Sequence, residues 1–139
     1  MRRCLIVANQ TLTGPQLLAE LLARQAKGDC RFHVLVPATH PHGHAMWTEG
    51  RGVADARAAL ANASEQFRAE GIDATGEVGD ESPTLAVVDV LNRQDFDEII
   101  VSTLPPGVSK WLKRDLPHRL ARRFGLPVTH VVTMPERVS

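Results

Sequence analysis

Residues 3–22 read RCLIVANQTLTGPQLLAELL, and this stretch decides the class of fold. It opens with an almost continuous apolar run that ends before Asn9, a pattern typical of a strand buried on both faces of a parallel sheet. After a polar turn, Pro15 stands where a helix would begin, and leucines then recur at helical spacing until Gly28. The stretch therefore predicts a buried strand, a turn and an amphipathic helix in direct succession.

The same alternation of strand and helix continues along the chain. It predicts further strands at residues 31–36, 72–78, 97–102 and 127–133, and further helices at 53–70, from Pro83 after the cap Ser82, and at about 108–124. Pro37 is expected to end the second strand, and Pro117 is expected to bend or divide the last helix. The buried stripe of the helix that begins at Pro83 is expected to be Leu85, Val87, Val88 and Leu91. Short connections between these elements predict a five-stranded, doubly wound parallel α/β sheet of order 3-2-1-4-5 with helices on both faces.

Length and composition indicate a single globular domain over residues 1–139. The chain is 43% hydrophobic and 23% charged, close to the average for globular proteins. No apolar run is long enough for a membrane span or a signal peptide, so we expect no membrane insertion and a cytoplasmic location. The formal net charge is zero, which argues against nucleic-acid binding because that activity usually needs a basic excess.

The charge is nevertheless uneven along the chain. Residues 65–98 contain ten acidic residues and two arginines, whereas residues 110–123 contain six Lys and Arg residues and one acid, Asp115. The basic segment is either a solvated helix face or an electrostatic dock for an acidic partner, for which the acidic segment of another subunit is one candidate. Cys4 and Cys30 fall at strand starts, which predicts reduced, buried thiols.

In a sheet of this order, the ligand site lies at the carboxyl ends of the first and fourth strands, where the winding direction reverses. The loops there are residues 9–14 and 103–109. The segment STLPPGVSK at 102–110 brings three hydroxyls, a glycine and a lysine to a strand-to-helix junction. Ser109 is either the cap of an anion-binding helix start with Lys110 as counter-charge, or part of a loop of purely structural use. The candidate ligand-binding residues are Asn9, Gln10, Val36, Ser102, Thr103, Gly107, Ser109 and Lys110.

Three segments resemble the universal stress protein family: VAN at 7–9, IIVST at 99–103 and GLPVTHVV at 125–132. The resemblance covers essentially the whole chain. It implies a 3-2-1-4-5 doubly wound fold, a homodimer formed through the last strand, and a regulatory or binding role in a stress response without catalysis. It also leaves room for a separate protein partner.

The ATP-binding members of that family carry the motif G-x2-G-x9-G-[ST] after the fourth strand and an Asp at the end of the first. Here Ser102 and Pro105 occupy the first two glycine positions, and Asp115 and Leu116 occupy the last pair. Asn9 stands in the place of the Asp, followed by Gln10. The resemblance therefore implies that ATP is not bound in the usual family manner, and an adenine nucleotide or another small anion is the candidate ligand.

The remaining motifs give weaker predictions. His40, His42 and His44 alternate along a loop, as ligands of a zinc, copper or nickel ion could, yet no acid or cysteine completes the set, so we predict a solvated loop and no metal. Trp47 in the same loop is a candidate lid or dimer contact.

The histidines and hydroxyls elsewhere give no catalytic prediction. His33 and His130 are expected to be hydrogen-bonded strand residues, and Trp111 is expected to pack on the sheet. No nucleophile and base stand in a recognisable pattern, so we predict no enzyme. The alternative is an enzyme of the adenine-nucleotide alpha-hydrolase-like fold that hydrolyses a nucleotide or transfers its phosphate with Lys110 and Asn9.

Overall fold

A computed structural model of the chain describes residues 1–39 and 51–134. The strands in this part are β1 (Arg2–Val7), β2 (Cys30–Thr39), β3 (Arg51–Gly52), β4 (Ala74–Gly79), β5 (Glu98–Thr103) and β6 (Val128–Val132). The helices are α1 (Pro15–Lys27), α2 (Val53–Ala69), α3 (Pro83–Leu91), α4 (Lys110–Lys113) and α5 (Leu116–Phe124). None of the described helices has the length and apolar character needed to cross a membrane.

The long strands form one parallel sheet in the order β4-β2-β1-β5-β6. This is the predicted order 3-2-1-4-5. The strand numbers differ because the short β3, which pairs with the end of β2, raises the number of each later strand by one. The prediction of a doubly wound α/β fold is confirmed. β1 lies at the centre, and β4 and β6 lie at the two ends of this order.

Each face of the sheet carries its own core, which explains why the first strand is apolar throughout. Cys4 and Ile6 of β1 point to the face covered by α1 and α2, whereas Leu5 and Val7 point to the face covered by α3 and α5. All four side chains are fully buried. Strand residues alternate between faces, so a strand covered on both sides needs apolar residues at consecutive positions.

β2 is longer than the sequence predicts. It continues through Pro37 to Thr39, so the expectation that Pro37 ends this strand is wrong. The pairing of β2 with β1 runs only as far as Leu35, whose carbonyl accepts the N–H of Ala8. An N–H at position 37 would point towards β1, as the carbonyl of Leu35 does. Since β1 has already ended at that level, the proline removes no hydrogen bond between the two strands.

The side of α3 that packs on the sheet agrees only in part with the prediction, since Val87 is buried and Leu91 packs against the core but Leu85 does not. Ser82 caps it as expected, since its Oγ accepts the N–H of Leu85 at 3.3 Å. Its buried residues are Ala86, Val87 and Val90, whereas the Leu85 side chain is 51% exposed. Apolar residues surround most of this helix, so periodicity alone could not identify the packed side.

The last helical segment is divided, as predicted, but before the proline. The break falls at Asp115, whose φ of 54° is left-handed, and Pro117 lies in the first turn of α5. A proline is tolerated in the first helical turn because the N–H groups there have no helical partner.

Candidate functional site

The candidate site lies where β1 and β5 end side by side, at the switch point of the sheet. Three segments meet there: the turn 8–14 after β1, the turn 104–109 after β5, and residues 133–134 after β6. Parallel strands deliver their following loops to the same edge of the sheet, which is why these segments are neighbours.

A chain of three buried hydroxyls joins the turn after β1, the end of β5 and the residues after β6. Thr11 Oγ1 lies 2.7 Å from Ser102 Oγ, and Ser102 Oγ donates to Thr133 Oγ1 at 2.8 Å. Each residue is at most 1% exposed. A hydroxyl has one proton to donate, so the Ser102 proton is already used within the chain. The structure thus places the predicted ligand residue Ser102 in an internal cluster, and sequence reasoning missed its two partners.

The predicted site residues Thr103 and Val36 also point to other parts of the chain. Thr103 Oγ1 donates to the carbonyl of Leu104 at 2.9 Å and lies 2.7 Å from His130 Nε2 on β6. Val36 is fully buried in the core beneath α1 and α2. Gln10 lies in the turn after β1 and is half-buried.

The turn after β5 closes on itself. The N–H groups of Val108 and Ser109 both donate to the carbonyl of Pro105, at 3.1 and 3.0 Å. Ser109 Oγ accepts the N–H of Leu112 at 3.1 Å, so its predicted role as a helix cap is confirmed. Gly107 has a left-handed φ of 89°, which favours glycine in this turn.

This turn is a poor cradle for phosphate. Two of its amides are engaged, Pro105 and Pro106 supply none, and the capped helix α4 is only four residues long. Lys110 is exposed at the start of α4. It is the one positively charged residue among the predicted ligand-binding residues.

Asn9 has one polar atom without a partner. Its Nδ2 donates to the carbonyl of Pro37 at 2.5 Å, which fixes the orientation of the side-chain amide. Its Oδ1 is buried, and no described group donates a hydrogen bond to it. The residue is 1% exposed. A buried acceptor without a donor costs about 1–3 kcal/mol, so this atom is suited to accept an N–H or O–H from a bound molecule.

The end of β6 crosses the start of α1 at very short range. A Cβ atom on Gly14 would lie 2.1 Å from Thr133 Cγ2 and 2.6 Å from the carbonyl oxygen of Met134. The N–H of Met134 donates to Gln16 Oε1 at 3.1 Å. Gly14 was predicted only as part of a turn, because nothing in its sequence neighbourhood indicates which distant segment approaches it.

The titratable groups of the described residues lie mostly away from the switch point. His33 is hydrogen-bonded to Thr75 and Glu77, at 2.7 Å in each case, which agrees with the predicted strand role. Burial raises the pKa of the Cys4 thiol to about 11, which keeps it protonated at neutral pH. Within residues 1–39 and 51–134, no group of three or more His, Cys, Asp or Glu residues is placed to hold a metal ion. The predictions for His40, His42, His44 and Trp47 fall outside the described residues.

Comparison of the chain with models of known protein families and with curated proteins gives no match.

Proposed function

We propose that this chain is a regulatory or binding domain of the universal stress type, without catalysis of its own. In this proposal it binds an adenine nucleotide at the carboxyl end of β1. The base, and not the phosphate chain, makes the principal polar contact. The observation that supports the proposal is the Oδ1 of Asn9, a buried acceptor to which no group of the described residues donates.

The chemistry of Asn9 favours a ligand that donates a hydrogen bond. Since Nδ2 is held by the carbonyl of Pro37, Oδ1 is the free part of the side chain and can only accept. The exocyclic amino group of adenine is a donor of this kind. A phosphate group at neutral pH is mainly an acceptor and gives Oδ1 nothing to bind.

The turn after β5 supports the same division of roles. The hydroxyl of Ser109 and two amides of this turn are bonded within the chain. Asp115 adds a carboxylate near the point where α5 begins. A triphosphate there would lose amide donors and meet a like charge. In this proposal the phosphates therefore lie in solvent, near the exposed Lys110.

The dimer belongs to the proposal as well. β6 lies at the end of the sheet, and two apolar side chains at its end are exposed, Val132 by 41% and Met134 by 49%. Thr133 N–H donates to the carbonyl of Thr103 on β5, so the N–H of the preceding residue, Val132, points away from β5. Within the described residues no strand lies beyond β6, and a strand edge of this kind can pair with the same edge of a second copy.

The ligand claim is tested by thermal unfolding with adenosine and with ATP. Saturating adenosine, at about 100 times its Kd, should raise Tm by about 5–10 °C, and ATP should raise it by a similar amount. Asn9→Leu should abolish the rise with both compounds, whereas the matched surface variant Lys110→Ala should keep the adenosine response.

Two outcomes would contradict this proposal. One is the absence of any response to either compound in the unaltered chain. The other is a response to ATP alone that Lys110→Ala removes, because that result would place the phosphates in the principal contact. Release of phosphate from ATP would favour the hydrolase alternative.

A further inference from the structure

Two helices of opposite charge lie in one layer of the molecule. α3 and α5 both pack on the sheet face that contains Leu5 and Val7. Both helices therefore present their other sides outward on the same surface. We call this surface the α3–α5 layer, and we define it as the exposed residues from 80 to 93 and from 110 to 123.

The α5 side of the layer is strongly basic. Its exposed cations are Lys110, Lys113, Arg114, Arg119, Arg122 and Arg123. In the part of the chain that the structure describes, none of these six forms an ion pair. Asp115, the one acid of the segment, lies 2.7 Å from His118. The positive charge of this surface is therefore not neutralised within the described chain.

The α3 side is acidic and partly apolar. Leu85 and Asp89 lie four residues apart on the outer side of α3, and the exposed Glu81 directly precedes its cap. Leu85 is 51% exposed, and neither carboxylate forms an ion pair with another described residue. An exposed leucine between two acids is a contact surface with both apolar and electrostatic character.

Part of the acidic segment 65–98 is neutralised by neighbouring cations. Glu98 is buried between Arg2 and Arg24 at the amino end of β5. Glu77 is bonded to His33 and Arg93. The negative charge of the segment 65–98 therefore does not form one continuous acidic surface, although the sequence suggests one.

We propose that the α3–α5 layer is a contact between two copies of this chain, in which the basic α4–α5 side of one copy lies against the acidic side of α3 in the other. A two-fold axis through the layer produces both halves of this contact at once, because each copy carries both helices side by side. The contact closes on itself and buries Leu85 at its centre. It is separate from the contact through β6.

The mixture of charges favours a second copy over a polyanion. A nucleic acid or an anionic membrane that covered this layer would gain the six cations but would also meet Glu81 and Asp89. A nucleic acid would also gain nothing from the exposed Leu85. A second copy presents each sign of charge to the opposite sign, which is the complementarity that selects a partner.

A charge-reversal pair tests the proposal. Arg119→Glu with Arg122→Glu reverses the α5 side, and Glu81→Lys with Asp89→Lys reverses the α3 side. Each double variant alone should dissociate at least about tenfold more readily than the parent, and an equal mixture of the two should recover the parent affinity. The association is measured by sedimentation at about 0.1 M and about 1 M salt, where the Debye length falls from about 10 Å to about 3 Å.

Matched controls lie on the opposite layer of the molecule. Arg57→Glu with Arg68→Glu, and Glu65→Lys with Glu70→Lys, make the same changes of net charge at exposed residues of α2 or its end. These variants should associate like the parent. In one series every chain also carries Val132→Pro, which removes the outward N–H at the β6 edge. The series is repeated without this substitution, so loss of the β6 contact is distinguished from loss of the contact through the α3–α5 layer.

Three results would overturn the proposal. The first is a parent chain that shows no salt-sensitive self-association in either series. The second is a mixture of the two reversed variants that fails to recover affinity. The third is self-association that the α2 controls weaken as much as the layer variants do, because that would reflect net charge alone.

Discussion

Single residues at the switch point decide what the site can bind. The hydroxyl of Ser102 links Thr11 to Thr133 in a buried cluster. The side-chain amide of Asn9 donates to the carbonyl of Pro37. A carboxylate at this position could not donate that bond. In our proposal, these two side chains leave Asn9 Oδ1, a buried acceptor without a donor among the described residues, for a ligand.

Glu77 should make stability depend on acid pH. Burial raises the pKa of its carboxyl, but hydrogen bonds from His33 and Arg93 and their charges outweigh this and place the pKa below its ordinary value of 4.5. A lowered pKa in the folded state means that Glu77 stabilises the fold above pH 4.5, and this contribution is lost as the pH falls through the folded-state pKa.

Glu77→Gln should therefore lower the free energy of unfolding by about 1 kcal/mol at neutral pH and by much less near pH 3. Urea unfolding across that range measures the difference between the two proteins. An equal loss at both ends of the range would show that the carboxylate charge has no part in the effect.

At the scale of elements, the crossing of β6 over the start of α1 depends on Gly14. Gly14→Ala would place a Cβ within 2.6 Å of the carbonyl oxygen of Met134, which cannot move without moving the backbone there. We expect a loss of about 1–3 kcal/mol in the free energy of unfolding. The matched variant Gly28→Ala meets no atom within 4 Å and should change stability by less than about 0.5 kcal/mol. Equal effects of the two substitutions would show that the crossing is not tightly packed.

The elements also show which parts of the fold the sequence can predict. The apolar run at 3–8, the caps Ser82 and Ser109, and the order of strands follow local rules, and the structure agrees with them. The course of β2 through Pro37 does not follow such a rule. It depends on where the neighbouring strand β1 ends, which is information about the register between strands.

The candidate site was predictable in position but not in detail. Strand order alone places it at the ends of β1 and β5, and Asn9, Ser102 and Ser109 are there. Their hydrogen-bond partners lie 28 to 91 residues away in the sequence or in a local turn, and no sequence pattern identifies them. The hydrogen-bond state of each side chain, which decides its chemistry, was therefore outside the reach of the sequence.

For the whole molecule, we propose two separate contacts between copies, one at the β6 edge and one at the α3–α5 layer. The proposed contact through β6 would use the outward N–H and the exposed side chain of Val132, so it should respond little to salt. Val132→Pro should abolish it, whereas Val132→Thr, which keeps the N–H, should retain it. Light scattering at about 1 M salt, where the layer contact is screened, measures the first contact alone. A monomeric parent chain under that condition, or a dimer that survives Val132→Pro, would contradict the β6 contact.

A crystal structure of the chain grown with ATP is the sharpest test of the proposed adenine contact at Asn9. We predict an adenine amino nitrogen within about 3.2 Å of Asn9 Oδ1 and no phosphate oxygen on the amides of residues 107–110. A triphosphate held by those amides, with the base away from Asn9, would contradict it.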